Sequence, residues 1–273
     1  MNKLKINQQV TAIQALIEGC SVRSAERMTG IHRDTILRLM VRVGKGCKRL
    51  MDETMRGLPC RNIQVDEIWA YVSKKQAHLT NSDNHHCIGD MWTFVALDAD
   101  SKIIPCFLVG KRSAANTRIF IEDLSSRLTN RVQLSSDSMR HYVHAAEESF
   151  GANIDYGQVV KFYEAEAIGP GRYSPPRVTS AEKKLKIGKP DFSKISTSHI
   201  ERQNLTMRMS MRRFTRLTNA FSKKLENLRA AVALHFAHYN FVRIHKTLGV
   251  TPAMETGITD RLWTIQDLIQ TTN

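Results

Sequence analysis

The chain has 273 residues, 42% of them hydrophobic, with no run near the roughly 20 apolar residues of a membrane-spanning helix and no apolar centre in its first ten residues, so neither a membrane-spanning helix nor a secretory signal is expected. Forty Lys/Arg against 26 Asp/Glu leave a net charge of +14, which calls for a polyanionic partner and makes nucleic acid the first to consider. Five widely spaced cysteines with no CxxC pair exclude a zinc ribbon and fit reduced thiols in the cytoplasm.

The first 45 residues read as three helices. Val10–Glu18 ends at Gly19-Cys20, Ser21 caps a second helix over Arg23–Met28, and Thr29-Gly30-Ile31 makes a tight turn into a third, Asp34–Val43. Two helices around a short Gly-containing turn, the second basic, form a helix-turn-helix pattern that would present Arg33, Thr35, Arg38 and Arg42 to a major groove. The alternative is an ordinary helical bundle. Gly44-Lys45-Gly46 is expected to loosen the chain, and Leu58-Pro59 marks a change from helical to extended periodicity.

From Arg61 the pattern is α/β. Strands are expected over Ile63–Val72, Trp92–Leu97, Ile103–Val109, Val132–Ser135 and, weakly, Val159–Tyr163, with helices over Ala114–Leu128 and His141–Phe150. The turn Asp98-Ala99-Asp100-Ser101 is too short for a crossover, so strands two and three form a hairpin. This is the element order of an RNase H-like domain: a mixed five-stranded sheet flanked by helices, behind a small all-α helix-turn-helix domain. The expected divisions are 1–46 for the helix-turn-helix, 47–60 for a linker, 61–245 for the RNase H-like domain and 246–273 for a tail. Within the third, 164–197 is rich in Gly, Pro, Ser and Lys and reads as a basic flexible loop. Helices follow over Ser198–Thr218 and Ser222–Phe241. Between Arg177 and Arg229 there are 14 Lys/Arg against 4 Asp/Glu.

Three carboxylates stand out. Asp66 lies mid-strand between apolar neighbours, where a buried charge needs a partner; the alternative is an exposed edge position. Asp137 closes the fourth strand, or caps the helix after it. Glu201 opens a basic helix, and Ser198-His199-Ile200-Glu201 also spells a capping box. At 100° per residue, Glu201, Arg208 and Arg212 fall within about 40° of one another, away from Ile200, Met207, Met211 and Phe214. Carboxylates from adjacent strands, about 4.8 Å apart, suit Mg²⁺ ions used in phosphoryl transfer. His85-His86-Cys87 reads as a surface turn, and His235 with His238 as packing residues.

Gln64-Val65-Asp66-Glu67-Ile68-Trp69, the block Glu201–Arg216 and Tyr239–Leu248 resemble bacterial insertion-sequence transposases, more narrowly the "insertion sequence one" family of DDE transposases in the RNase H-like integrase superfamily. The resemblance runs from about residue 10 to 265. It implies that Asp66, Asp137 and Glu201 are the catalytic triad and hold Mg²⁺, with Mn²⁺ as a substitute. It also implies double-stranded DNA as partner, both element ends and target, and a homodimer or higher homo-oligomer. Arg208 stands where such enzymes carry a basic residue near the cut; Arg212, Arg213, Arg216, Lys223 and Lys224 are the further expected phosphate contacts. No membrane and no small-molecule cofactor are expected, and the location implied is the bacterial cytoplasm, at the nucleoid. The zinc ribbon that some relatives carry is missing. A transcription regulator with a non-catalytic α/β module and a structure-selective nuclease are the alternatives.

Overall fold

A computed structural model describes residues 4–164, 177–216 and 218–271. The chain opens with three helices, α1 (Ile6–Ile17), α2 (Val22–Thr29) and α3 (Arg33–Thr54). The Ser21 hydroxyl accepts the Ser24 amide at 3.0 Å, and Gly30, left-handed at φ 70°, ends α2, as the local sequence demands. Gly44-Lys45-Gly46 does not loosen the chain. α3 runs through it unbroken, because Gly44 is where another helix crosses: a Cβ there would lie 2.2 Å from the Ala230 carbonyl oxygen. The absent side chain buys close approach, and packing overrides the weak helix propensity of glycine.

Next come β1 (Asn62–Val72), β2 (Gly89–Asp98), β3 (Phe107–Gly110), α4 (Ala114–Arg127), β4 (Val132–Ser136), α5 (His141–Phe150), β5 (Ile154–Glu164) and β6 (Arg177–Ile187). They build one open mixed sheet in the order β3-β2-β1-β4-β5-β6. β1, β4 and β5 are parallel; β2 runs antiparallel to β1 and β3, and β6 antiparallel to β5. Asp98 spends its carboxylate locally, accepting the amides of Arg61, Asn62 and Ser101, which explains it as a turn residue.

Two expectations are corrected here. The sheet has six strands, not five, and the segment expected to be a flexible loop over 164–197 contributes the sixth; its residues 165–176 lie outside the described residues. β6 escapes a pattern search because it is an exposed edge carrying Lys183, Lys184 and Lys186, with no alternating apolar face. Such lysines are how edge strands resist further pairing. The chain after β6 is pinned too: Gln133 and Asp191 exchange hydrogen bonds of 3.0 and 2.8 Å.

The C-terminal third adds α6 (Ser198–Ser210), α7 (Leu225–Phe241), α8 (Pro252–Glu255) and α9 (Ile265–Thr271). α6 stops earlier than Thr218, so Arg212 belongs to a separate 3₁₀ turn, Arg212–Phe214, rather than to the same helical face as Glu201. α7 is buried over most of its length; it packs against α3 and carries Phe236 against Phe107 of β3, with ring centroids 5.0 Å apart. His235 on α7 is buried, and burial lowers its pKa to about 3, in keeping with a packing role. Arg127, almost wholly enclosed, is held by Asp123 within α4 and joins α4 to α3 through Asp52 and the Met51 carbonyl. No helix among the described residues is long and apolar enough to cross a membrane.

Candidate active site

The site grows out of the register of two strands. β1 and β4 are parallel, with Asn62 beside Gln133 and Gln64 beside Ser135. Asp66 and Asp137 are each two residues further on, at the end where β4 gives way to α5. Carboxyl ends of parallel strands are where open α/β sheets place ligands. Side chains alternate along β1, so Asp66 meets α6 while Glu67 meets Tyr142 of α5. Even so, ligand oxygens of Asp66, Glu67 and Asp137 all lie within 4.8 Å of one another.

Glu201 is not in that group. Its carboxylate is engaged by the Lys161 ammonium from β5 and by the Thr197 hydroxyl. It is near enough for its charge to raise the Asp66 pKa. The Ser198–Glu201 capping box does not form. Instead the Gln64 side-chain oxygen accepts the His199 and Ile200 amides at 2.9 and 3.1 Å, satisfying two open donors at the start of α6. That cap fastens α6 to β1 two residues before Asp66. One turn along, Asn204 donates to Asp66 Oδ2 at 2.8 Å.

The electrostatics follow from crowding. Burial, then the charges of Glu67 and Asp137, push the Asp66 carboxyl up to about 7. Burial also raises Glu67, whose side chain is 1% exposed. Among the described residues Arg112 answers this surplus, in the loop between β3 and α4, with Nη2 3.2 Å from Glu67 Oε2 and 3.9 Å from Asp137 Oδ2. Glu67 Oε1 and the buried Tyr142 hydroxyl face the same space, and neither closes a hydrogen bond of good geometry. Asp137 Oδ1 does accept the Met139 amide at 3.0 Å, so this residue shapes the turn into α5 as well as facing the cluster. The donor set is all oxygen, over-supplied with negative charge and short of partners, which fits a hard divalent cation such as Mg²⁺.

The basic residues divide. Arg33, Arg38 and Arg42 are exposed on α3, with Thr35 half-buried beside them. Arg212, Arg216, Lys223 and Lys224 are exposed, and Arg208 is half-buried. Arg33, Arg212 and Lys223 line one groove of about 930 Å³ between the N-terminal helices and the segment after α6. Arg213 departs from expectation: its guanidinium turns inward to the Ser222 hydroxyl at 2.8 Å and the Met40 sulfur at 3.2 Å, and burial lowers its pKa to about 10. His85-His86-Cys87 is an exposed turn, with His85 bonded to the Thr80 carbonyl.

Sequence reasoning missed Glu67, Arg112, Asn204, Gln64 and Lys161. Glu67 and Gln64 were visible as polar residues in an apolar strand. Arg112 and Lys161 carried no local signal, because each reaches the site from another element; Asn204 lies one turn after Glu201 on α6, but its partner Asp66 is 138 positions away. Comparison with protein-family models and with curated proteins gives no match for this chain.

Proposed function

We propose that the chain is a DNA transposase that cuts and joins DNA strands by divalent-metal-dependent phosphoryl transfer, with the first three helices reading the element's ends. The observation that carries this reading is the placing of Asp66, in the middle of β1, beside Asp137, just past the end of parallel β4, under a helix that carries Glu201. The strand order β3-β2-β1-β4-β5, with only β2 reversed among those five, supports an RNase H-like reading of the sheet.

Asp66 and Asp137 would hold the metal, with Glu201 joining them once its pairing with Lys161 is given up. Bound Mg²⁺ supplies Lewis-acid activation of the attacking oxygen and charge neutralisation at the leaving oxygen. Gln64 and Asn204 keep α6, and so Glu201, registered on Asp66. Exposed arginines of α3, and the groove that Arg33 shares with the segment after α6, provide the basic surface that a duplex requires. Joining two ends calls for at least two copies of the chain.

The test uses purified protein with labelled DNA fragments from either side of the gene, in Mg²⁺, Mn²⁺ or EDTA, alongside Asp66→Asn and Glu201→Gln. Metal-dependent release of a 3′-hydroxyl and its joining to a second duplex, lost in both variants, is the expected result. Cutting without joining would replace the transposase with a nuclease. Specific end binding with no cutting in any metal would leave a DNA-binding regulator.

A further inference from the structure

We infer that Arg112 is a preset seat for a phosphodiester beside the carboxylate cluster, oriented by Glu67 and Trp92; this rests on the DNA reading above. Three restraints fix the guanidinium. Its Nε and Nη2 both face Glu67 Oε2 at 3.2 Å. One face lies over the Trp92 ring, 4.9 Å from the centroid. Nη2 also stands 3.9 Å from Asp137 Oδ2. Among the described residues Nη1 has no hydrogen-bond partner, and the side chain is 38% exposed.

An arginine that served only to neutralise Glu67 would gain by closing over it and satisfying both carboxylate oxygens. Here the fork meets Glu67 through Oε2 alone, Glu67 also facing the Tyr142 hydroxyl, while Nη2 stands beside Asp137. Guanidinium donors match two oxygens of one tetrahedral anion, and a fork held by a carboxylate and an aromatic face loses little entropy on binding. The neighbouring carboxylates would repel a free anion, whereas a phosphodiester of DNA that arrives with cations overcomes that repulsion. Glu67 is then a positioning residue, holding the fork that meets the strand. The arginines of the basic block reach phosphates elsewhere on the duplex.

The experiment measures affinity of the full chain for a labelled duplex in Ca²⁺ across a KCl series, for wild type, Arg112→Ala, Arg112→Lys and Arg61→Ala. Arg61, exposed at the start of β1, removes the same charge away from the cluster. Arg112→Ala is expected to weaken binding by about tenfold and to reduce the salt slope by about one. Arg112→Lys should recover the slope but only part of the affinity, since the fork is lost, and Arg61→Ala should bind as wild type. A second measurement needs no variant: phenylglyoxal should modify Arg112 in the free protein and be blocked by duplex, read by mass spectrometry. Unchanged binding by Arg112→Ala, equal losses in Arg112→Ala and Arg61→Ala, or labelling of Arg112 undiminished by DNA would overturn the seat while leaving the DNA reading intact. Failure of the wild type to bind duplex at low salt would overturn both.

Discussion

Asn204 donates a 2.8 Å hydrogen bond to Asp66 Oδ2, tying the second turn of α6 to the middle of β1 across 138 positions of sequence. Together with the Glu67 amide, which donates to Oδ1 at 2.8 Å, the bond orients the Asp66 carboxylate, and it fixes the level of α6, and so of Glu201, relative to it. Partners of this kind, outside the ligands themselves, typically change metal affinity or activity by roughly 10–100-fold when removed. Asn204→Ala is expected to lower Mn²⁺ affinity and metal-dependent strand cutting within that range. The thermal midpoint should move little, since one hydrogen bond is worth about 1 kcal/mol. Isothermal titration and a melting curve check the two halves separately.

Asp66 gives a pH dependence with a definite sign. Its folded pKa, raised to about 7 chiefly by burial, stands above that of an unfolded aspartate. The stability it contributes is therefore fully present below the unfolded value and is lost as pH climbs through 7. In metal-free protein, unfolding midpoints should fall between pH 5 and pH 8. Asp66→Asn should flatten that decline and, at pH 8, exceed wild type by on the order of 2 kcal/mol. A variant that declines as steeply as wild type would move the effect to another group.

Lys161 holds Glu201 in the metal-free chain. Replacing it with Met keeps the aliphatic stem and removes the charge. Among the described residues the Thr197 hydroxyl is then left to hold the Glu201 carboxylate, which loses a competing cation. Lys161→Met should bind Mn²⁺ more tightly than wild type, by roughly threefold to tenfold for one partly screened charge. Weaker metal binding would mean that Lys161 supports Glu201 rather than restrains it.

Gly44→Ala should be among the most damaging single-methyl additions in the chain. The new Cβ would meet the backbone of Ala230, which has no rotamer to give, so α3 and α7 would have to separate. A cost of about 3 kcal/mol is expected, at the upper end for overpacking. Chemical denaturation measures it, and Arg49→Ala, exposed on the same helix, serves as the comparison.

Arg38 and Arg213 should separate binding from folding. Arg38 is exposed on α3, so Arg38→Ala should reduce DNA affinity and the salt slope with an unchanged melting curve. Arg213 is spent on Ser222 and Met40, so Arg213→Ala should lower the melting temperature and leave the salt slope alone. The reverse pattern would return Arg213 to the DNA surface.

The parts of this molecule legible in its sequence are those encoded by near neighbours. Ser21 as a cap, Gly30 as a left-handed stop, the hairpin at Asp98 and the strands around Val65 and Leu134 all follow from residues a few positions apart. The positions of Asp66 and Asp137 were legible because strand alternation and strand ends are local facts. What stayed hidden depends on contacts across the chain. Gly44 looked like a hinge because nothing near it reveals Ala230. β6 looked like a loop because an exposed edge has no buried face to imprint a period. Glu67 was passed over for Asp66, although the two come within reach of one cation.

The unbroken course of α3 has a geometric outcome. Its first turns carry Arg33, Arg38 and Arg42, and its last turns, through Asp52 and the Met51 carbonyl, are bound to Arg127 at the end of α4, which leads straight into β4 and Asp137. Twenty-two residues of helix at about 1.5 Å each make a rod of roughly 33 Å. Such a rod works as a gauge: under the proposed function, the distance from the arginines of α3 to the carboxylate cluster is set by the protein and not by the flexibility of a tether.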